Sequence, residues 1–222
     1  MDKIEAEQSM VRATAFELLS LMFLLPDGKL AEALASGEFG AACNEVSTAL
    51  MEQSGCFAEG LPELFSCYAG RNADEVLHEV RAEYTRLFVG EKLPIITPFA
   101  GIWAAQQQGQ DGLLFVSKQS LEIERFMHCC GVAKDLPSGQ ANDPLDHFGT
   151  MCEFAKYLQL VCAGAVAVPE GFEVADDDFS RFMTEYFRPY ATWLVDTLRE
   201  QARRPFYEDA AGFLSIVLTA TE

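Results

Sequence analysis

Two adjacent side chains able to do acid–base or ionic chemistry, Asp146 and His147, stand in the segment Asn142-Asp143-Pro144-Leu145-Asp146-His147-Phe148. The segment opens directly onto the helical pattern Met151, Phe154, Ala155, Leu158. A carboxylate beside an imidazole at a helix start can pair with a cation, exchange a proton near pH 6 to 7, or cap the helix by accepting backbone N–H bonds. The polar, turn-forming surroundings read as a binding loop rather than a catalytic triad, with helix capping as the plain structural alternative.

The other reactive residues form no catalytic constellation. His78, His128 and His147 are too scattered for a HExxH-type metal site, and neither a phosphate-binding P-loop nor a GxGxxG fingerprint is present. A Cys/His site from His128, Cys129, Cys130 and Cys152 is an alternative, but buried, satisfied side chains explain these residues more simply. The expectation is therefore no enzyme, no metal and no bound cofactor.

Composition limits the partners. Sixteen basic against 34 acidic side chains give a formal net charge of −18, which repels nucleic-acid phosphates and anionic lipid and attracts cationic peptides. Acidity also serves simple solubility. Seven cysteines, an odd number without CxxC spacing and mostly within apolar helical patterns, indicate free thiols in a reducing compartment. The adjacent Cys129-Cys130 pair points in two directions on a helix and is poorly placed for a disulfide. An acidic N-terminus lacks the features of an export signal. The apolar runs Phe16 to Leu25 and Leu158 to Val168 fall short of the roughly 20 residues that span a bilayer. A cytoplasmic protein is expected.

The elements positioning Asp146 and His147 are helical. Apolar residues at three- and four-residue steps predict helices over Ser9–Leu25, Lys29–Ser36, Phe39–Gln53, Leu61–Ala69 and Ala73–Phe88. Gly90, Pro94 and Pro98 interrupt the chain over Val89–Pro98. A helix over Leu114–Cys130 stops at Gly131, a polar link runs from Lys134 to Asn142, and a helix follows over about Pro144–Ala163. Asp176-Asp177-Asp178 start another, which bends at Pro189 and continues through Trp193 and Leu198, and a last helix carries Phe206 to Val217. Strand-like alternation is nearly absent, and there is no fixed-period repeat or long linker. The chain is expected to be all-α, a single domain over 1–222 with roughly nine to eleven helices.

Three strings occur in order: Glu83-Tyr84-Thr85-Arg86-Leu87-Phe88-Val89-Gly90, then Pro98-Phe99-Ala100-Gly101-Ile102-Trp103, then Asp143-Pro144-Leu145-Asp146-His147. Their order and spacing, with Phe182 to Trp193 and the closing Arg204-Pro205-Phe206-Tyr207, resemble the TorD/DmsD family of redox-enzyme maturation chaperones. The resemblance covers nearly the whole chain. It departs where many members have Tyr-Glu-Ser and this chain has Phe99-Ala100-Gly101, and where Tyr186 and Tyr190 replace a common histidine and tryptophan.

The resemblance implies a cytoplasmic chaperone that binds the twin-arginine signal peptide and apo form of a molybdenum-containing reductase subunit, assisting cofactor insertion and delaying export. On the family pattern, Tyr84, Leu87, Phe88, Pro98, Phe99 and Trp103 line an apolar groove, with Asp143, Pro144, Asp146 and His147 at its polar edge. Asp146 is the first choice for an arginine partner, since a carboxylate meets a guanidinium bidentately. Tyr84, Leu87 and Phe88 have an equally plain reading as core. The competing function is a general helical scaffold or regulator that binds an amphipathic helix without reading arginines. Both a monomer and a domain-swapped dimer are compatible with the long link at Val89–Pro98.

Overall fold

The computed structural model describes residues 3–55, 60–109, 117–132 and 144–221. Ten α-helical segments account for most of them: α1 Lys3–Phe23, α2 Gly28–Ser36, α3 Glu38–Gln53, α4 Ala73–Tyr84, α5 Ala100–Gln107, α6 Lys118–Cys129, α7 Phe148–Cys162, α8 Asp178–Phe182, α9 Arg188–Gln201 and α10 Pro205–Ala220. Short π turns extend α4 over Thr85–Val89 and join α8 to α9 over Met183–Phe187. The protein is all-α, and no strand ladder forms among the described residues.

Helix α1 lies along α7, and α10 packs on both α9 and α3. The interface is aromatic. Phe16 meets Phe187 edge-on at 5.5 Å, Phe187 stacks on Phe148 at 5.0 Å, and Phe148 meets Phe23 at 4.8 Å. All four rings are buried, and a continuous apolar core extends from Ala15 in α1 to Ala220 in α10. Each such ring removes some 150–250 Å² from water and fixes its neighbours through edge-to-face geometry.

Local caps start several helices. Asp27 accepts the Leu30 N–H at 2.9 Å for α2, Asn72 accepts those of Asp74 and Glu75 for α4, and Ser117 accepts that of Ser120 for α6. Pro189 falls in the first turn of α9, where its missing N–H is harmless, and the distortion near it is the π turn just before.

One expectation is corrected, and one helix was not predicted. The predicted helix Leu61–Ala69 is reduced to a 3₁₀ turn at Ser66–Tyr68, because remote side chains capture the N–H groups a helix needs. Asn44 accepts the Leu64 N–H at 3.1 Å, Asp209 accepts that of Phe65 at 2.7 Å, and Phe65 takes a left-handed φ of 59°. Ala100–Gln107 forms a helix just after the Pro98 break, where no element was predicted. The helix expected from Leu114 is described from Lys118 onwards, and the one expected from Pro144 begins at Phe148.

The end of α4 is tied to the α9–α10 link by a part-buried ion pair. Arg86 donates to both Glu83 oxygens, at 2.8 and 2.7 Å, and to the Gln201 carbonyl at 2.6 Å, while Glu83 also accepts the Arg203 N–H at 2.7 Å. Burial raises the Glu83 carboxyl, but Arg86 and the Arg203 N–H prevail and hold it below the usual range. Its contribution to stability is thus present above the usual carboxylate pKa and lost as pH falls through the depressed folded value. Glu83→Ala strands Arg86 and should lower unfolding free energy by about 3 kcal/mol in urea titrations at pH 7, with the deficit shrinking in acid.

Candidate functional site

Residues 98–101 and 146–148 form a clasp. The Phe148 N–H donates to the Pro98 carbonyl at 2.8 Å and the Ala100 N–H to the Asp146 carbonyl at 3.0 Å, an isolated antiparallel bridge centred on Phe99 and His147. The Phe99 and His147 rings meet edge-to-face at 5.4 Å. One clasp therefore places the starts of α5 and α7 side by side.

Asp146 serves α5 rather than the helix that follows it in sequence. Phe99 occupies the N-cap of α5 and has no acceptor to offer, and the Asp146 Oδ2 accepts the Gly101 N–H from across the clasp at 2.8 Å. His147 caps its own helix, its Nδ1 accepting the Gly149 N–H at 3.2 Å. That bond identifies Nδ1 as an acceptor and leaves Nε2 to carry the proton of the neutral ring.

Asp146 is 2 % exposed, and its Oδ1 has no hydrogen-bond partner among the described residues. Burial pushes its carboxyl pKa up, against the opposing pull of the Gly101 N–H and the Ser120 hydroxyl. A carboxylate held in this way is destabilising when charged, because one oxygen has lost water without gaining a donor. Donors that satisfy it best are cationic and planar. A second orphan lies on the helix that Asp146 caps: the buried Trp103 Nε1 also lacks an acceptor among the described residues.

Trp103 belongs to an aromatic stack. Its ring lies 5.4 Å from Tyr190 and 6.2 Å from Trp193, and those two stack on each other at 5.7 Å. Tyr190 is fully buried and its hydroxyl donates to the Thr97 carbonyl at 2.5 Å, anchoring the segment that enters the clasp. Burial raises the Tyr190 phenol well above its ordinary value, so it remains a donor.

The predicted site residues divide into two groups. Phe99, Trp103, Asp146 and His147 are brought together, with Phe99, Trp103 and His147 half-buried and Pro144 exposed beside them. Tyr84, Leu87, Phe88 and Pro98 are buried; Leu87 is wholly so, and Phe88 packs on Phe23 and Tyr207. Pro98 is part of the clasp, whereas Tyr84, Leu87 and Phe88 reach it through the core, since Phe23 touches both Phe88 and Phe148. Asp143 lies outside the described residues.

Sequence reasoning missed Gly101, Ser120 and Tyr190. A Cβ on Gly101 would sit 2.2 Å from the Ser117 Oγ and 2.7 Å from the Asp146 Oδ2, so only glycine lets the carboxylate approach. A glycine in the first turn of a short helix was the available signal. The six described cysteines are free, and Cys130, expected as a simple buried thiol, points its Sγ at Asp178 and is pushed up to about 12 by burial and that neighbouring carboxylate. Among the described residues no group of His, Cys, Asp or Glu side chains is arranged to hold a metal ion. None of their helices is singly long and apolar enough to cross a membrane.

The family model described as nitrate reductase delta subunit matches residues 36–196, which include every clasp residue. The chain belongs to this family of molybdoenzyme maturation chaperones, in agreement with the TorD/DmsD resemblance of its motifs. No curated protein matches it.

The raised Asp146 carboxyl supports folding only when protonated, and that support is lost as pH rises through the folded pKa. Asp146→Asn keeps the acceptor for Gly101 and removes the charge. Thermal melts should show it as stable as the parent or more so at pH 7, by on the order of 1 kcal/mol, with the advantage fading towards pH 4. Gly101→Ala should instead lose about 1–3 kcal/mol at either pH, because the clash is steric.

Proposed function

We propose that the protein is a single-domain cytoplasmic chaperone that binds the twin-arginine signal peptide and apo form of a molybdenum-containing reductase subunit, assists cofactor insertion and delays export. The unpartnered Asp146 oxygen carries this reading. A carboxylate kept buried at a loss of stability, where an amide would cap α5 as well, has a use beyond folding. A guanidinium supplies the missing donor, and small displacement of the clasp would admit it.

Family membership supports a role in molybdoenzyme assembly, and the net charge of −18 favours approach of a basic leader. In this reading Phe99, Trp103, Pro144, Asp143, Asp146 and His147 contact the leader. Tyr84, Leu87, Phe88 and Pro98 hold the frame beneath them. The Trp103 face and Phe99 ring receive the apolar stretch after the arginines, and the Trp103 N–H takes a peptide carbonyl.

Calorimetric titration at low and moderate salt with a synthetic twin-arginine leader, beside its twin-lysine counterpart, tests the proposal. The arginine peptide should bind at least tenfold more tightly than the lysine peptide, because lysine cannot engage a carboxylate bidentately. Asp146→Asn should remove most of that preference while leaving the fold intact. Equal affinity for both peptides would leave a general amphipathic-helix binder, and absence of binding would reject leader recognition.

A further inference from the structure

A second surface lies where α4 faces the link between α9 and α10. The link is pinned from beneath by Glu83 and Arg86, through the Arg203 N–H and the Gln201 carbonyl. It borders an open groove of about 830 Å³ that is also lined by Asp74, Glu75 and the Arg71–Glu79 pair. The charges here fall into two classes. Arg71 and Arg86 are committed to Glu79 and Glu83 at 2.8 and 2.7 Å. Arg203 and Arg204 are exposed with no carboxylate within ion-pair distance among the described residues, Arg203 acting on Glu83 only at longer range. In a chain with 34 acidic and 16 basic side chains, two exposed guanidinium groups on a hydrogen-bonded link are donors available to carboxylates.

The same groove carries uncommitted acid. Asp74 and Glu75 are exposed in the first turn of α4, and neither is ion-paired among the described residues. Carboxylates in the lining and the net charge of −18 disfavour a polyphosphate or nucleic acid, whose charge is of one sign. A segment with both signs satisfies both rims. The 12 residues of α4 present a length of about 18 Å, enough for three turns of a docked helix.

We propose that this groove docks a polypeptide segment of mixed charge on a partner protein, its acidic side chains on Arg203 and Arg204 and its basic side chains on Asp74 and Glu75. The site does not depend on leader recognition, because a leader of arginines and apolar residues supplies no carboxylate.

The probes are two fluorescein-labelled 16-residue helical peptides, one with a glutamate-rich first half and lysine-rich second half and one with the halves exchanged. Fluorescence anisotropy against the full chain should show saturable binding of one order over the other. Arg203→Glu with Arg204→Glu should weaken it at least tenfold, and Arg204→Lys should weaken it less. Circular dichroism melts verify that the variants fold, and Asp146→Asn should leave this binding unchanged while altering the leader titration. Unchanged affinity in the charge-reversed variant, binding of neither peptide, or displacement by inorganic phosphate as effective as by unlabelled peptide would each overturn the proposal.

Discussion

The exchange of backbone hydrogen bonds between residues 98–100 and 146–148 is the constraint on which the site depends. Helices leave their first N–H groups without internal partners, and those of α5 find theirs in another segment. Phe99 brings no capping oxygen, so α5 begins where Asp146 arrives. Phe148, the next residue but one, then inserts its ring between Phe23, Phe187 and Tyr190. The clasp thereby joins two helix starts to the centre of the core, and the surface it presents is as rigid as that core allows.

Two buried carboxylates show how differently the same group can be used. Glu83 has both oxygens bonded to Arg86 and a further N–H from Arg203, and its pKa falls despite burial. Asp146 has one oxygen engaged and one orphaned, and its pKa rises. The signs of their pH dependence are opposite, because the first gains more from its partners than it loses in hydration and the second does not. A fold needs only carboxylates of the first kind. Asp146 is of the second kind, and the proposed contact with a leader arginine rests on its unpaired oxygen.

Periodic elements were legible in the sequence. The apolar stripes of α1, α2, α3, α4 and α10 lie where three- and four-residue spacing predicts, since each buries one face against neighbours. What failed was non-local. Leu61–Ala69 has a helical pattern, but Asn44 and Asp209, distant in the chain, take its N–H groups. Ala100–Gln107 has breakers at its start, but Asp146, 45 residues away, supplies the cap. The Asp146-His147 pair was recognisable as polar and placed at a helix start, and its division of labour between two helices was not. Residue type identifies a cap; only tertiary structure identifies which helix it caps.

The π turn Thr85–Val89 adds a further link. It closes with the Gly90 N–H donating to the Thr85 carbonyl at 2.7 Å, and it turns Leu87 and Phe88 inward while Ile96 returns to bond Leu87. Phe88 touches Tyr207 at the start of α10 and Phe23 in α1, and Phe23 touches Phe148 at the clasp. The Arg203-Arg204 link and the Asp146 clasp are therefore mounted on one continuous run of packed rings. Close-packed aromatic cores do not deform gradually, so the separation of these two surfaces is set by the fold rather than by a flexible linker. A partner able to engage both meets the second contact at a fixed effective concentration once the first has formed. Two individually weak contacts then give tight binding only to a partner that carries both features at the matching distance.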